Sequence, residues 1–155
     1  MEEYEKNLKE AIRHLQIADH ITYVTFPLVN EYRLLLKIFD ETYLSMIGCI
    51  NSILNYEYLY KRIKIYKDKK DNLDTFMRMA KNYNLSNEQI KKIIDMIELN
   101  KRHKQSAMEF VKKEKVVIMS ENLNTQYLDI RLVKEYLLLA KELLMKVSNR
   151  IKRSI

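Results

Sequence analysis

Between Tyr56 and Lys70 the chain interleaves aromatic rings with cations. Lys61, Arg62, Lys64, Lys67, Lys69 and Lys70 stand against one acid, Asp68, with Tyr56, Tyr58, Tyr60 and Tyr66 in or beside the run. Cations neutralise phosphates and rings stack on unpaired bases, which are the two demands of single-stranded RNA binding. Arg102 and Lys104, then Lys112, Lys113 and Lys115, then Arg150, Lys152 and Arg153 could extend such a surface. The plainer reading is a solvated charged face with Tyr60 packed into the core.

The same stretch holds a second constellation. The apolar face of a helix running from Leu35 through Ile53 continues into Glu57 and then Lys64, with Tyr60 beside them. Carboxylates are almost never fully buried unpaired. Glu57 is therefore expected to pair with Lys61 or Lys64 on its own helix, or to lie where a helical bundle opens to solvent. The first functional form of this idea is a polar pocket of Glu57, Tyr60 and Lys64. The other form is a helix end that outgrows the core.

Other chemistry finds little support. His14 and His20 are six apart, so on a helix they diverge by about 120° and cannot share a metal. His103 sits among Lys101, Arg102 and Lys104, which repel a metal ion. One glycine in the whole chain rules out a Gly-rich phosphate loop. The single Cys49 lacks a neighbouring histidine and reads as a small buried hydrophobe. No metal or cofactor is called for.

Arg13 and His20 are separated by six residues, in Arg13-His14-Leu15-Gln16-Ile17-Ala18-Asp19-His20. This spacing resembles the Arg-x4–6-His signature of HEPN ribonucleases, small helical bundles that often dimerise with the motif at the subunit interface. The resemblance implies that Arg13 stabilises phosphate charge and that His20 acts in metal-independent acid–base cleavage. It departs from the family in placing the motif in the first helix and a histidine directly after the arginine. More broadly, AIRHLQIADHITYVTFPLVNEYRLLLKIFDE and HKQSAMEFVKKEKVVIMSENL resemble small archaeal all-helical proteins. That likeness implies a cytoplasmic protein and transfers no catalytic residue.

The elements that must position these residues follow from a shortage of breakers. With Gly48 inside an apolar helical pattern, Pro27 is the only hard breaker in 155 residues. Helix 1 is expected over 2–23, apolar on one face through Tyr4, Leu8, Ala11, Leu15 and Ala18 and on the other through Ile17, Ile21 and Val24. Pro27 should separate it from helix 2, expected over 30–67, and the short link makes an antiparallel hairpin. Gly48 costs about 1 kcal/mol in a helix interior, which a close helix crossing would justify. Asp71 can cap a third helix. Ser86 with Gln89 forms a capping box opening a fourth, and Ser106 with Glu109 a second box that implies a restart. Residues 116–130 leave room for a small β-hairpin through Val116–Met119 and Tyr127–Ile130. A last helix spans 129–152.

Charge is uneven along this scaffold. Residues 1–60 carry five Lys/Arg against nine Asp/Glu, and residues 61–155 carry 23 against 12. Such asymmetry suits an acidic partner such as nucleic acid, although Lys, Asn, Ile and Tyr also share AT-rich codons. The longest uncharged stretch, 42–56, is too short for a membrane span. The chain is thus expected to be a single all-α bundle domain over 1–155, of four to six helices, cytoplasmic and without a membrane partner. Its expected role is a non-catalytic RNA- or ribonucleoprotein-associated module. The alternatives are a HEPN-like endoribonuclease, or a structural homodimer through helix 1 or small subunit of a larger complex.

Overall fold

Helix α1 (Glu3–His20) begins where the Glu5 carboxylate accepts from the Glu2 amide at 3.1 Å. The computed structural model describes residues 1–153, with the Arg153 side chain, counted above among the terminal cations, outside the described part. Tyr4, Ala11, Leu15 and Ala18 are buried along one stripe, and that stripe lies against α3 (Leu34–Leu59). Ser45 Oγ donates to the Ala11 carbonyl at 2.8 Å, and Ser52 Oγ donates to the Tyr4 carbonyl at 2.9 Å. Higher numbers on α3 meet lower numbers on α1, so the pair is antiparallel. Gly48 lies at its closest approach. A Cβ built there would stand 2.9 Å from the Ala11 Cβ and 3.1 Å from the Asn7 carbonyl oxygen. The crossing anticipated from a lone helical glycine is present.

Pro27 does not break the first helix, contrary to expectation. The chain passes from α1 through a π-helical turn (Ile21–Thr25) into a last α-helical turn, α2 (Phe26–Val29), with Pro27 near its start. Proline lacks an N–H, and its ring clashes with the carbonyl four residues back. Widening the preceding turn, with the Phe26 amide bonded to the Ile21 carbonyl, accommodates the ring. Thr22 Oγ1, bonded to the Ala18 carbonyl at 2.7 Å, supports the same bend. The helix instead ends at Asn30, in the left-handed region at φ 50°.

Helix α3 stops at Leu59, short of the expected Lys67. The Lys61 amide returns to the Tyr58 carbonyl at 2.9 Å and the Arg62 amide to the Glu57 carbonyl at 3.0 Å. This is a Schellman motif with lysine where glycine is usual, at φ 61°. Helix α4 (Lys69–Met79) is capped by Asp68, whose carboxylate accepts from the Lys70 amide at 2.8 Å. Asp71 falls inside its first turn. A 3-10 turn (Ala80–Tyr83) follows. The Ser86–Gln89 capping box then opens α5 (Asn87–Lys104) as the sequence requires.

The fold departs from a pure helical bundle after α5. Three antiparallel strands, β1 (Met108–Lys112), β2 (Lys115–Met119) and β3 (Thr125–Asp129), form one sheet in that order. The expected hairpin is β2–β3, and β1 is an additional strand joined to β2 by a two-residue turn at Lys113–Glu114. Ser106 does not restart a helix. Its hydroxyl bonds to the His103 carbonyl at 2.9 Å, and the next amide, Ala107, already pairs with the Met119 carbonyl. Val116, Ile118 and Leu128 deliver the sheet to the core shared by the helices. Helix α6 (Ile130–Arg153) buries Val133, Leu137, Ala140, Val147 and Ile151. The molecule is mostly helical, and among the described residues no helix is long and apolar enough to cross a membrane.

His103 ties the sheet to the helices. Its Nε2 lies 3.0 Å from an Asp40 carboxylate oxygen on α3, and its Nδ1 hydrogen-bonds to Glu109 on β1. The Asp40 hydrogen bond, followed by that of Glu109, raises the imidazole pKa above its ordinary value despite the opposing effect of burial. A group with a raised folded pKa stabilises the fold fully below its unfolded pKa, and that stability is lost as pH rises through the folded value. Above it, a neutral ring can donate to only one of the two carboxylates. The denaturation midpoint should therefore fall as pH climbs from about 6.5, and His103→Gln should flatten that dependence. Chemical denaturation across the neutral-to-alkaline range measures it.

Candidate nucleic-acid interface

The last turn of α3 places Glu57 wholly out of solvent, at 0% exposure. Three donors meet it. Tyr83 Oη donates to Glu57 Oε1 at 2.8 Å, Arg62 Nε donates to Oε2, and Arg150 Nη2 lies 3.6 Å from Oε1. Both carboxylate oxygens are engaged, so Glu57 is an anchor. Pairing comes from Arg62, beyond the helix end, and from Arg150 on α6, instead of from Lys61 or Lys64. The Glu57 hydrogen bond, against the effect of desolvation, pushes the already basic Arg62 guanidinium higher. Burial first, and then the Glu57 acceptor, push the Tyr83 hydroxyl up, so it remains a proton donor at every ordinary pH.

This one carboxylate draws three segments together. The Arg62 guanidinium stacks 5.0 Å from the Tyr60 ring and 5.6 Å from the Tyr56 ring. The Arg150 guanidinium lies 4.9 Å from the Tyr83 ring, and its Nη1 donates to the Asn82 carbonyl at 3.2 Å. Lys146 Nζ donates to the Asn84 carbonyl at 2.6 Å. The α3–α4 connection, the 3-10 turn and the end of α6 therefore converge on one cationic end of the molecule. Farther along the connection, the Asn72 side chain bonds the Tyr66 amide at 2.7 Å and its carbonyl at 2.8 Å.

Around this framework three tyrosines are half-exposed, although the Tyr60 ring is also met edge-on by the Tyr56 ring at 5.0 Å. Tyr58 is 56%, Tyr60 49% and Tyr66 43% exposed, so Tyr60 is not a core residue. Lys61, Lys64, Lys67, Lys69 and Lys70 are exposed between and beyond them. Arg102 and Lys104 do not join this end. They flank His103, which contacts α3 at Asp40, seventeen residues before Glu57 or about 25 Å along the helix. Of the polar-pocket trio, Glu57 is buried, while Tyr60 and Lys64 are exposed. Tyr83 and Arg150 complete the Glu57 cluster. Tyr83 carried no pairing signal in the sequence, because the contact spans 26 positions.

Arg13 and His20 lie on the exposed side of α1. The Arg13 guanidinium is 2.9 Å from Glu10. Beside it, His14 Nδ1 lies 2.5 Å from the buried Glu41, which also accepts from Lys37 at 2.8 Å. Burial raises the Glu41 carboxyl, but hydrogen bonds from Lys37 and His14 outweigh it and hold it below the ordinary range. Among the described residues no group of three or more His, Cys, Asp or Glu is placed to hold a metal ion. Neither a family model, a curated protein nor a solved structure matches this chain.

Proposed function

We propose that this chain is a non-catalytic RNA-associated module that holds single-stranded RNA at its cationic end. The observation that carries this reading is the pair of half-exposed tyrosines, Tyr58 and Tyr66, with the half-exposed Tyr60 between them packed against Arg62, all spaced by exposed lysines on a connection tethered at both ends. Lysines supply phosphate neutralisation without sequence preference, and the rings supply stacking. Arg62 and Arg150 are committed to Glu57, so their part is to position the connection.

Fluorescence anisotropy with short single-stranded RNA at low salt tests the proposal. Tyr58→Ala and Tyr66→Ala should each weaken binding by about 1–3 kcal/mol, the worth of one stacked base. Binding unchanged by both substitutions would remove the stacking surface from the proposal. Cleavage of the RNA, abolished by His20→Ala, would instead assign the HEPN-like ribonuclease reading.

A further inference from the structure

The cations Lys112, Lys113 and Lys115 take no part in the interface at the Glu57 end, and the sheet gives them aromatic neighbours of their own. Side chains alternate between the two faces of a strand. Val116, Ile118 and Leu128 face the core, so the residues between them face away from it. On that outer face Phe110 stands opposite Val117, and Val117 opposite Tyr127. The adjoining row sets Lys112 and Asp129 on either side of Lys115. Met108 on β1 is 57% exposed and Tyr127 on β3 is 50% exposed, so the face is open along both edge strands.

Positive charge gathers at the turn end of this face. Lys113, Lys115 and Arg131 line an open hollow of about 530 Å³ with Glu114 and Asp129, and Lys112 is exposed beside it. Asp129 is occupied there as the acceptor for the Leu132 amide at 2.8 Å. Arg131 is held only loosely by Glu135, at 3.7 Å. Lys115 Nζ lies 4.4 Å from the centre of the Tyr127 ring, covering one side of it. Cations in excess over acids favour a polyanion, and rings set among them favour a polyanion that carries bases.

We infer that the outer face of the sheet is a second contact for the same RNA strand, with the turn lysines on its phosphates and Tyr127, beside Phe110, against an unpaired base. The inference rests on the single-stranded RNA reading for its ligand and uses none of that reading's residues. The hollow at the turn includes Tyr32, just before α3, whereas Glu57 lies in the last turn of α3. The 26 residues of that helix span about 39 Å. A strand long enough to reach both surfaces is held at two points, and its second attachment becomes intramolecular.

Anisotropy with single-stranded RNAs of about 5 and about 20 nucleotides at low salt decides the matter, since one surface takes roughly 4–16 nucleotides. The longer RNA should bind about a hundredfold more tightly. Tyr127→Ala should weaken its binding about tenfold, and Lys112→Glu with Lys113→Glu should flatten its salt dependence. The shorter RNA should change by no more than about twofold in either variant, because the α3–α4 connection still holds it. Unchanged binding of the longer RNA by both variants, shown to be folded by urea denaturation, would overturn the sheet contact and leave the interface standing. Equal losses for the two lengths would overturn two-point attachment. A dimer in sedimentation that Tyr127→Ala dissolves would assign the face to a second copy of the chain and overturn the inference. Losses in the sheet variants with none in Tyr58→Ala or Tyr66→Ala would overturn the interface reading and keep the sheet contact. No binding of either RNA at low salt would remove both.

Discussion

Arg62→Met should lower the unfolding free energy by about 2–3 kcal/mol, while Glu57→Gln should cost only about 1 kcal/mol. The asymmetry follows from who is buried. Glu57 has no solvent exposure, whereas the Arg62 and Arg150 side chains are 42% and 37% exposed. Removing Arg62 leaves a buried carboxylate short of a partner. Removing the carboxylate's charge frees two arginines that can turn to water, and a glutamine carbonyl still accepts from Tyr83. Breaking a buried pair by deleting one partner costs about 3–5 kcal/mol where the other is stranded. The remaining Arg150 and Tyr83 contacts reduce that figure here. Urea denaturation of the two variants tests the order. Equal losses, or a neutral Arg62→Met, would mean that Glu57 does not hold the α3–α4 connection in place.

Gly48→Ala should also destabilise the protein, against its helix propensity. Alanine gains about 1 kcal/mol over glycine in a helix interior. The added methyl, however, would stand 2.9 Å from the Ala11 Cβ and 3.2 Å from the Ala11 Cα. Two of its three nearest neighbours are backbone atoms, which cannot swing aside as a flexible side chain would. Overpacking of this kind costs about 1–3 kcal/mol. Separating the helices would also stretch the Ser45 and Ser52 hydrogen bonds to α1. With the weakened hydrogen bonds added to the clash and the propensity gain subtracted, the net expectation is a loss of about 1–2 kcal/mol of unfolding free energy, read by urea denaturation. A stabilised Gly48→Ala protein would show that α1 and α3 do not meet this closely.

The parts of the fold written in periodicity and capping were legible. The α1–α3 hairpin, the Ser86 capping box and the α6 stripe all follow from residues close together in the chain. Gly48 was legible too, since an isolated helical glycine needs a packing reason. What the residues did not announce came from backbone choices made by tertiary context. Lys61 adopts the left-handed conformation that ends α3, a position where glycine would have signalled the stop. Pro27 is tolerated because a π-turn absorbs its ring, which no local rule foretells. Glu109 reads equally well as a capping-box residue or a strand residue, and its hydrogen bond with His103 accompanies the strand.

The site followed the same division. The cations and rings between Tyr56 and Lys70 were visible as a run, and they are exposed. Their tether was not visible. It depends on Tyr83 and Arg150, which lie 26 and 93 positions from Glu57.

The most direct measurement is the affinity for a short single-stranded RNA as a function of salt. Engaging about five phosphates should make log K fall against log salt with a slope of about −3.5. The charge reversals Lys64→Glu and Lys67→Glu should both weaken binding and flatten that slope. An affinity indifferent to salt, or unaltered by both reversals, would contradict an RNA interface at this end of the molecule.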